Sequence, residues 1–124
     1  MPDPVLKPRR SICPIAATLD LVGDKWSLII VRDLMIGKSR FNEFLESPEG
    51  ITTNILTNRL RRMEETGLID KDLYQKRPPR YAYRLTRRGR KLLPILQDMC
   101  RWANEFVGGT WQPPESFMEM KFED

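Results

Sequence analysis

The stretch GITTNILTNRLRRMEETGLI, residues 50–69, constrains the fold most because it carries the signals for both ends of a helix. Thr52 is a good N-cap residue, and Gly67 is the residue type that most often follows a last helical turn. Apolar residues recur at helical spacing between these two positions. They are Leu56, Leu60 and Met63. The sequence therefore predicts an amphipathic helix from Thr52 to about Thr66.

The opposite face of this helix carries short or forked hydrogen-bonding side chains: Thr53, Asn54, Thr57, Asn58 and Arg61. Thr and Asn are poor helix formers, and a helix that needs only a solvated side usually carries Glu, Lys and Gln. This choice of residues favours a binding surface. The alternative is that they are ordinary capping and surface groups.

Three shorter helices are predicted before this one. Pro14 suits the first turn of a helix over 14–22, which Gly23 can close. Asp24 is the expected N-cap of a second helix, which Gly37 ends. The buried face of the second helix is predicted to comprise Trp26, Ile29, Ile30, Leu34 and Met35. A third helix over about 41–47 is followed by the turn SPEG, 47–50, and Ile51 is expected to enter the core.

Two stretches rich in β-type residues, 68–75 and 80–86, flank the segment KRPPR at 76–80. Strands around a proline-containing tip form a β-hairpin. The tip would carry Lys76, Arg77 and Arg80 on a loop stiffened by two prolines. Such a tip suits a DNA backbone or minor groove because stiffening lowers the entropy cost of placing the cations. The alternative is a solvated turn.

A long helical pattern begins at Thr86, and Pro94 is expected to kink it. Its broad apolar stripe comprises Leu92, Ile95, Leu96, Met99, Trp102, Ala103 and Phe106. This stripe either belongs to the core of its own domain or pairs with a second chain, and its aromatic content favours pairing. The predicted fold class is mainly α with a small β-hairpin. It comprises an irregular arm over 1–12, a winged helix-turn-helix domain over 13–107 and a C-terminal tail over 108–124 to which no structure is assigned.

The basic charge is concentrated in one segment of the chain. Residues 52–91 hold 12 Lys and Arg against 4 Asp and Glu, whereas the net charge of the whole chain is +4. This asymmetry is typical of a surface that binds a polyanion such as nucleic acid. A solvated basic face is the alternative on charge alone.

Several classes of function are disfavoured by composition. The chain has no histidine, so Ser–His and Cys–His nucleophiles and His-containing metal sites are absent. No P-loop or GxGxxG motif occurs, and no enzyme activity, metal or cofactor is predicted. No apolar run approaches the roughly 20 residues of a membrane span, and the start lacks a secretory signal. A cytoplasmic protein with free Cys13 and Cys100 is expected.

The helices over 41–47 and 52–66 form a helix-turn-helix, whose second helix would enter the DNA major groove. Asn can pair with adenine, Arg with guanine, and a Thr methyl can touch a thymine methyl. The residues expected to face bases are Thr53, Asn54, Thr57, Asn58 and Arg61. Those expected near phosphates or the minor groove are Thr52, Lys76, Arg77, Arg80, Arg87 and Arg88.

Five of the basic or capping positions keep a second interpretation. For Thr52, a role as N-cap and a phosphate contact stay equally open. Arg87 and Arg88 begin a helix, where cations oppose its dipole; a DNA phosphate would compensate, but so would carboxylates elsewhere in the chain. Arg59 lies beside the apolar stripe and is a candidate brace against an acidic partner. For Arg62, a phosphate contact and plain solvation stay equally open.

Cys13 lies just before Pro14 at a predicted helix start, near Arg9 and Arg10 in sequence. The helix dipole and neighbouring cations both stabilise the thiolate, which is the reactive form of cysteine. Cys13 is therefore a candidate sensor of oxidants or electrophiles. The alternative is a small buried hydrophobic residue, and this is the favoured interpretation of Cys100.

Four motifs occur in order along the chain: Cys-Pro at 13–14, Gly-x-Lys-Trp at 23–26, Leu-x-x-Arg-Leu-Arg at 56–61, and Pro-Pro-Arg-x-x-Tyr-x-Leu-Thr-x-x-Gly at 78–89. Together they resemble the HxlR-type winged helix-turn-helix transcriptional regulators of bacteria, over about residues 13–106. The resemblance implies a homodimer, related in fold to the MarR group, that binds operator DNA through a recognition helix at 52–62 and a wing tip at 76–80.

The resemblance also implies a dimer interface built from the first and last helices, with Ile15, Leu19, Met99, Trp102 and Phe106 as its residues. Some members of this family use the N-terminal cysteine, here Cys13, to sense oxidants, quinones or aldehydes. The expected function is thus a dimeric transcriptional regulator whose partners are operator DNA and a second copy of itself. An oxidant or a small molecule is the candidate inducer. A winged-helix module that binds protein instead of DNA is the alternative, which the basic wing disfavours.

Overall fold

The computed structural model describes residues 10–123. The chain order is α1 (Pro14–Val22), α2 (Ser27–Met35), α3 (Phe41–Leu45), α4 (Thr53–Glu65), β1 (Ile69–Lys76), β2 (Pro79–Leu85), α5 (Arg87–Arg90), α6 (Leu93–Phe106) and α7 (Glu115–Met118). The mainly helical fold with one β-hairpin matches the predicted class. Most of the predicted arm, residues 1–9, lies outside the described residues.

The first two helices follow the sequence signals closely. Pro14 occupies the first turn of α1, and the N–H of Gly23 closes the helix on the Leu19 carbonyl. The second helix begins at Ser27, later than its predicted cap implied. Asp24 still acts as a cap, because its carboxylate accepts the N–H groups of Trp26 at 2.9 Å and Ser27 at 3.0 Å. A short turn therefore separates this capping residue from the regular helix.

The helix-turn-helix consists of α3, a turn and α4. α3 ends at Leu45, two residues before the predicted limit. The predicted bounds of α4 are confirmed, with Thr52 at its start and Gly67 beyond its end. Gly67 adopts φ +81°, while its N–H bonds the Glu64 carbonyl and the next N–H, of Leu68, bonds that of Met63. This Schellman closure satisfies the last carbonyls and turns the chain into the hairpin.

The two strands form an antiparallel hairpin, the wing, in which Ile69 faces Leu85 and Lys76 faces Pro79. The register shifts between Leu73 and Gln75, so Tyr74 has no partner across the hairpin. A bridge between Arg40 and Ala82 attaches β2 to the chain just before α3. The wing is therefore joined to the helix-turn-helix at its base and projects from it.

The C-terminal helix differs from its prediction. Instead of one helix from Thr86 with a kink at Pro94, the structure has α5, a turn at 91–92, and α6. Pro94 lies in the first turn of α6, where its missing N–H costs nothing. Gly89 is required in α5 because a Cβ there would lie 2.3 Å from the Leu68 carbonyl oxygen. The break thus lets α5 pack against the corner that follows α4.

One hydrophobic core joins all parts of the domain. Its most deeply buried side chains come from α2, α3, α4 and the base of the wing: Ile30, Val31, Phe44, Leu56, Met63 and Ile69. Ile51 enters the core as predicted, whereas Trp26, Ile29 and Leu34 are half-buried and Val31 takes the fully buried position on α2. Leu93 and Leu96 of α6 complete it.

The tail over 108–123, to which the sequence assigned no structure, folds back on the domain. Phe117 of α7 is 8% exposed and belongs to the core. The buried Gln97 amide of α6 lies 3.0 to 3.2 Å from the carbonyls of Phe117, Met118 and Met120. This amide fixes the returning segment against α6.

Over the described part of the chain, no helix is long and apolar enough to cross a membrane. No group of acidic residues and cysteines within residues 10–123 could hold a metal ion. Both cysteines are free. Burial raises the pKa of the Cys100 thiol, although the charge of Arg101 acts against this, and Cys100 packs against the core as predicted.

The carboxylate of Asp24 accepts hydrogen bonds from both backbone and side-chain groups. Besides the two N–H groups at the start of α2, it accepts the Ser27 hydroxyl at 2.6 Å and the Arg59 guanidinium of α4 at 2.9 Å. Partial burial alone would raise the pKa of Asp24, but these hydrogen bonds lower it from 3.8 to about 2. The ionised form of Asp24 therefore stabilises the folded state.

Replacement of Asp24 by Asn should remove a contribution to stability that depends on pH. Because its folded-state pKa is depressed, the charged Asp24 stabilises the fold above its ordinary pKa of 3.8 and loses that effect as pH falls through about 2. We expect Asp24→Asn to lower the free energy of unfolding by about 2 kcal/mol at pH 7. This difference should close between about pH 4 and pH 2. Urea unfolding at fixed protein concentration measures it.

Asp98→Asn is the matched control, because the Asp98 side chain is 77% exposed and pairs with Arg101 at the surface. Exposed pairs of this kind contribute little, so its effect should be small at every pH. A difference between wild type and Asp24→Asn that stays constant down to pH 2 would contradict the assigned role of the carboxylate.

Candidate nucleic-acid interface

Helix α4 has two contrasting faces. Leu56, Leu60 and Met63 are buried at 0%, 3% and 1% exposure and attach the helix to the core. All five residues predicted to face bases lie at the surface: Thr53, Asn54, Thr57, Asn58 and Arg61. The same helical period therefore produces both the attachment and a polar, solvent-facing surface.

Two arginines on the flank of α4 attach it to the corner between α1 and α2. Arg59 Nε bonds Asp24 Oδ2 at 2.9 Å, so its interpretation as a brace against an acidic partner is confirmed. Arg62 is exposed and donates to the Asp20 carbonyl at 2.7 Å, a contact that its sequence position did not indicate. These contacts fix the rotation of α4 about its own axis.

The turn before α4 is held by a buried polar network. Asp33 of α2 is 1% exposed and accepts hydrogen bonds from Arg32 and from the hydroxyl of Ser47 in the turn. Arg32 also binds Glu49 through two bonds of 2.7 and 2.9 Å. The bond from Arg32 is the main cause that lowers the pKa of Glu49. The network ties α2 to the start of the recognition helix.

One polar side chain of α4 and that of its N-cap residue also bond within the protein. The Thr52 hydroxyl accepts the Ile55 N–H at 3.4 Å, so its capping role is present. The Asn58 side-chain oxygen accepts from Arg59 Nη1 at 2.6 Å. Since Arg59 is held by Asp24, the Asn58 oxygen is oriented toward the protein. Its NH₂ group is then the end left to contact a ligand.

The wing separates paired from unpaired charge. Near its base, Arg84 forms ion pairs with Asp70 and Asp72. At its tip, Lys76, Arg77 and Arg80 are exposed, and within residues 10–123 none of the three forms an ion pair or a hydrogen bond through its charged group. Positive charge is therefore concentrated at the tip, as predicted.

The remaining predicted cations lie on α5. Arg87 is exposed and Arg88 is half-buried. Both have partners inside the protein, as does Lys91. Thr86 caps α5 by accepting the Gly89 N–H at 3.2 Å and donates to the Gly67 carbonyl at 2.6 Å. The cationic side chains of α5 are thus less available to bind a ligand than those at the tip of the wing.

Arg40 was missed by the sequence reasoning. It is exposed, directly precedes α3, and its guanidinium carbon lies 4.1 Å from the ring centroid of Tyr74 on β1. Arg40 falls outside the basic segment 52–91. The available signal was a lone arginine directly before the first helix of the predicted helix-turn-helix.

The predicted dimer residues form an exposed apolar surface on α1 and α6, which we call the α1/α6 surface. Ile15 and Leu19 are 72% and 55% exposed, and Trp102 and Phe106 are 62% and 64% exposed. Met99 is 50% exposed, and Ile95 shares this side of α6. Of the apolar stripe, mainly Leu96 enters the core. Cys13 is exposed at the start of α1.

Comparison with known proteins agrees with this architecture. The sequence profile of the HxlR-like helix-turn-helix family matches residues 21–110. The HTH-type transcriptional regulator sll1512 of Synechocystis is 40% identical over 105 residues, which cover 85% of this chain and 74% of that protein.

Two solved structures share the fold. The redox regulator HypR in its oxidised form is 40% identical, with a TM-score of 0.67 over 75% of this chain and 96% of HypR. The reduced transcriptional regulator YodB of Bacillus subtilis is 28% identical, with a TM-score of 0.65 over 82% of this chain and 100% of YodB. The protein is therefore a winged helix-turn-helix transcriptional regulator that belongs to the HxlR-like helix-turn-helix family.

Proposed function

We propose that this protein acts as a cytoplasmic homodimer that binds operator DNA in a sequence-specific manner, without a cofactor. The observation that carries the proposal is the polar face of α4, whose five side chains are exposed while the helix itself is fixed by Asp24 and Asp20. A rigid helix with Asn, Thr and Arg on its free face suits the major groove.

Each side chain of this face has a chemically suitable target. Arg61 can bind guanine O6 and N7 with two hydrogen bonds, and Asn54 can pair with adenine. Asn58, whose oxygen already accepts from Arg59, is left to donate to base acceptors. Thr53 and Thr57 can contact a thymine methyl, and Thr52 at the start of the helix can contact a phosphate.

The wing would supply the contacts that do not depend on sequence. Lys76, Arg77 and Arg80 form a compact cationic tip that can enter the minor groove or lie beside the backbone. Arg87 and Arg88 remain candidates near phosphates, although their internal partners would have to be exchanged or shared. A module that binds only protein would not need this tip and would show no DNA affinity at physiological salt.

Arg61→Ala should weaken operator binding by roughly 1–3 kcal/mol and relax the preference at one base pair, because a guanine contact is lost. Fluorescence anisotropy with operator variants changed at single positions measures both effects. Lys121→Gln is the matched control, because it removes one exposed positive charge of the tail. Equal weakening of every DNA sequence by Arg61→Ala would instead assign Arg61 to the backbone.

The homodimer is proposed from the α1/α6 surface. Large apolar side chains grouped in this way on one face are uncommon on monomers and typical of interfaces. The rings of Trp102 and Phe106 are already in contact, with centroids 5.5 Å apart. A two-fold dimer through this surface would present two recognition helices to two half-sites.

Trp102→Ala should shift the protein from dimer toward monomer, because Trp at the centre of an interface is commonly a hot spot. We expect the dimer dissociation constant to rise about thirtyfold or more, measured by sedimentation equilibrium. Ile36→Ala is the control, since Ile36 is 55% exposed but follows α2, outside the α1/α6 surface. A wild-type protein that sediments as a monomer would refute the proposed interface.

We further propose that Cys13 makes DNA binding responsive to oxidants or electrophiles. Cys13 is exposed and directly precedes α1. Near the other end of α1, the Asp20 carbonyl accepts from Arg62 of α4, so a shift of α1 would be felt at the recognition helix. HypR, a structural neighbour, is a redox regulator, which supports a redox response in this protein. A small ligand is the other candidate inducer.

Cys13→Ser should abolish release of operator DNA by an oxidant such as diamide while leaving affinity in reductant unchanged, because the reactive sulfur is removed. Electrophoretic mobility shift with and without the oxidant measures both. Cys100→Ser is the matched control, since the Cys100 thiol is half-buried and its raised pKa disfavours the thiolate. Release that persists in Cys13→Ser would exclude Cys13 as the sensor.

A further inference from the structure

An open cleft lies between the start of α3 and the wing. Its walls include Arg40 and Asn42 on one side and Tyr74, Arg80 and Tyr81 on the other. Pockets that hold small molecules are enclosed and mainly apolar. This cleft is instead open to solvent and is lined by two arginines and one carboxylate, that of Glu43. Its net positive charge suits an extended anion better than an enclosed ligand.

The side chain of Arg40 is held in place by the wing. Arg40 forms a β-bridge with Ala82 of β2, and its guanidinium carbon lies 4.1 Å from the ring centroid of Tyr74 on β1. The guanidinium of Arg40, whose backbone pairs with β2, thus reaches a side chain of β1. Tyr74 is available for this contact because it sits at the irregularity in the hairpin register. Irregularities of this kind often redirect a side chain toward a functional site.

Arg40 forms no salt bridge within residues 10–123, although its charge is one of the smaller causes that lower the pKa of Glu43. Oε1 of Glu43 accepts the N–H groups of Ser39 and Arg40 at 2.8 Å each. These two bonds are the main causes that lower the pKa of Glu43. Stacking uses the face of a guanidinium and leaves its N–H edge free to bind a phosphate.

We propose that Arg40, positioned by Tyr74, binds a phosphate of the DNA backbone where the duplex runs between α4 and the wing. The inference rests on the proposed DNA-binding function and adds a contact outside both the recognition helix and the wing tip. The first helix of a helix-turn-helix crosses the DNA backbone, and Arg40 directly precedes that helix. Because phosphates carry no sequence information, Arg40 strengthens binding to all duplexes alike.

The test measures the salt dependence of binding with full-length protein, an operator fragment and an unrelated duplex of equal length. Loss of one phosphate contact should reduce the slope of log K against log salt by about 0.9. We therefore expect Arg40→Gln to bind both DNAs about eightfold more weakly at 0.1 M salt. Lys121→Gln, which removes an exposed charge of the tail, should leave the slope unchanged.

Variants at Tyr74 test whether the position of the Arg40 guanidinium matters, and not only its charge. Tyr74→Phe keeps the aromatic ring and should bind as the wild type does. Tyr74→Leu keeps the charge of Arg40 but frees its side chain, and should weaken both DNAs about two- to tenfold. The double variant Arg40→Gln/Tyr74→Leu should bind no more weakly than Arg40→Gln, because both changes act through one contact.

The outcomes distinguish this contact from the proposed function as a whole. An unchanged salt slope in Arg40→Gln, with wild type still binding its operator, would overturn the Arg40 contact alone. A loss confined to the operator would also overturn it, because Arg40 would then read bases. Wild-type protein that binds neither duplex would overturn the proposed function together with this inference.

Discussion

The carboxylate of Asp24 is the junction on which the position of the recognition helix depends. It caps the start of α2 and holds Arg59 of α4, so one charged group joins the corner between α1 and α2 to α4. Arg62 reinforces this attachment through the Asp20 carbonyl. With the flank of α4 fixed in this way, its Asn, Thr and Arg61 side chains are left facing solvent. Arg59 and Arg62 thus stabilise the fold, whereas Arg61 remains available on the exposed face.

The same division of roles applies to the wing. At its base, Tyr83 packs edge-on against Phe44 of α3 with ring centroids 6.3 Å apart, and Arg84 is paired with aspartates. At its tip, the cations carry no such partners within the described chain. Packing contacts and ion pairs therefore lie where the hairpin joins the domain, and the positive charge lies at the end that projects. This arrangement suits a rigid element that meets a polyanion.

Much of the fold could be predicted because its signals are local. Thr52, Gly67 and the apolar spacing of α4 fix its ends and its two faces within one short segment. The hairpin follows from β-type residues around a proline tip, and the exposed half of the stripe on α6 was recognisable from its aromatic residues. Each of these inferences needs only residues close together in sequence.

The features that were missed depend on distant contacts or on ambiguous local rules. The sequence indicated Arg59 as a brace but not its partner, because Asp24 lies 35 residues away. Arg62 binds a backbone carbonyl, which no side-chain pattern reveals. Pro94 fits both a kinked helix and a helix start, and no local signal marked the break at 91–92. The stacking of Arg40 on Tyr74 occurs at the shift in hairpin register, and the sequence does not indicate this shift.

In the proposed complex, two copies of the chain place two α4 helices in successive major grooves of one duplex. Hydroxyl-radical footprinting on genomic fragments selected by the purified protein is the decisive measurement. We expect protection at two sequence-related half-sites whose centres lie about 10 base pairs, or a multiple of that, apart. A single unrepeated protected region, or selection that enriches no sequence at all, would contradict it.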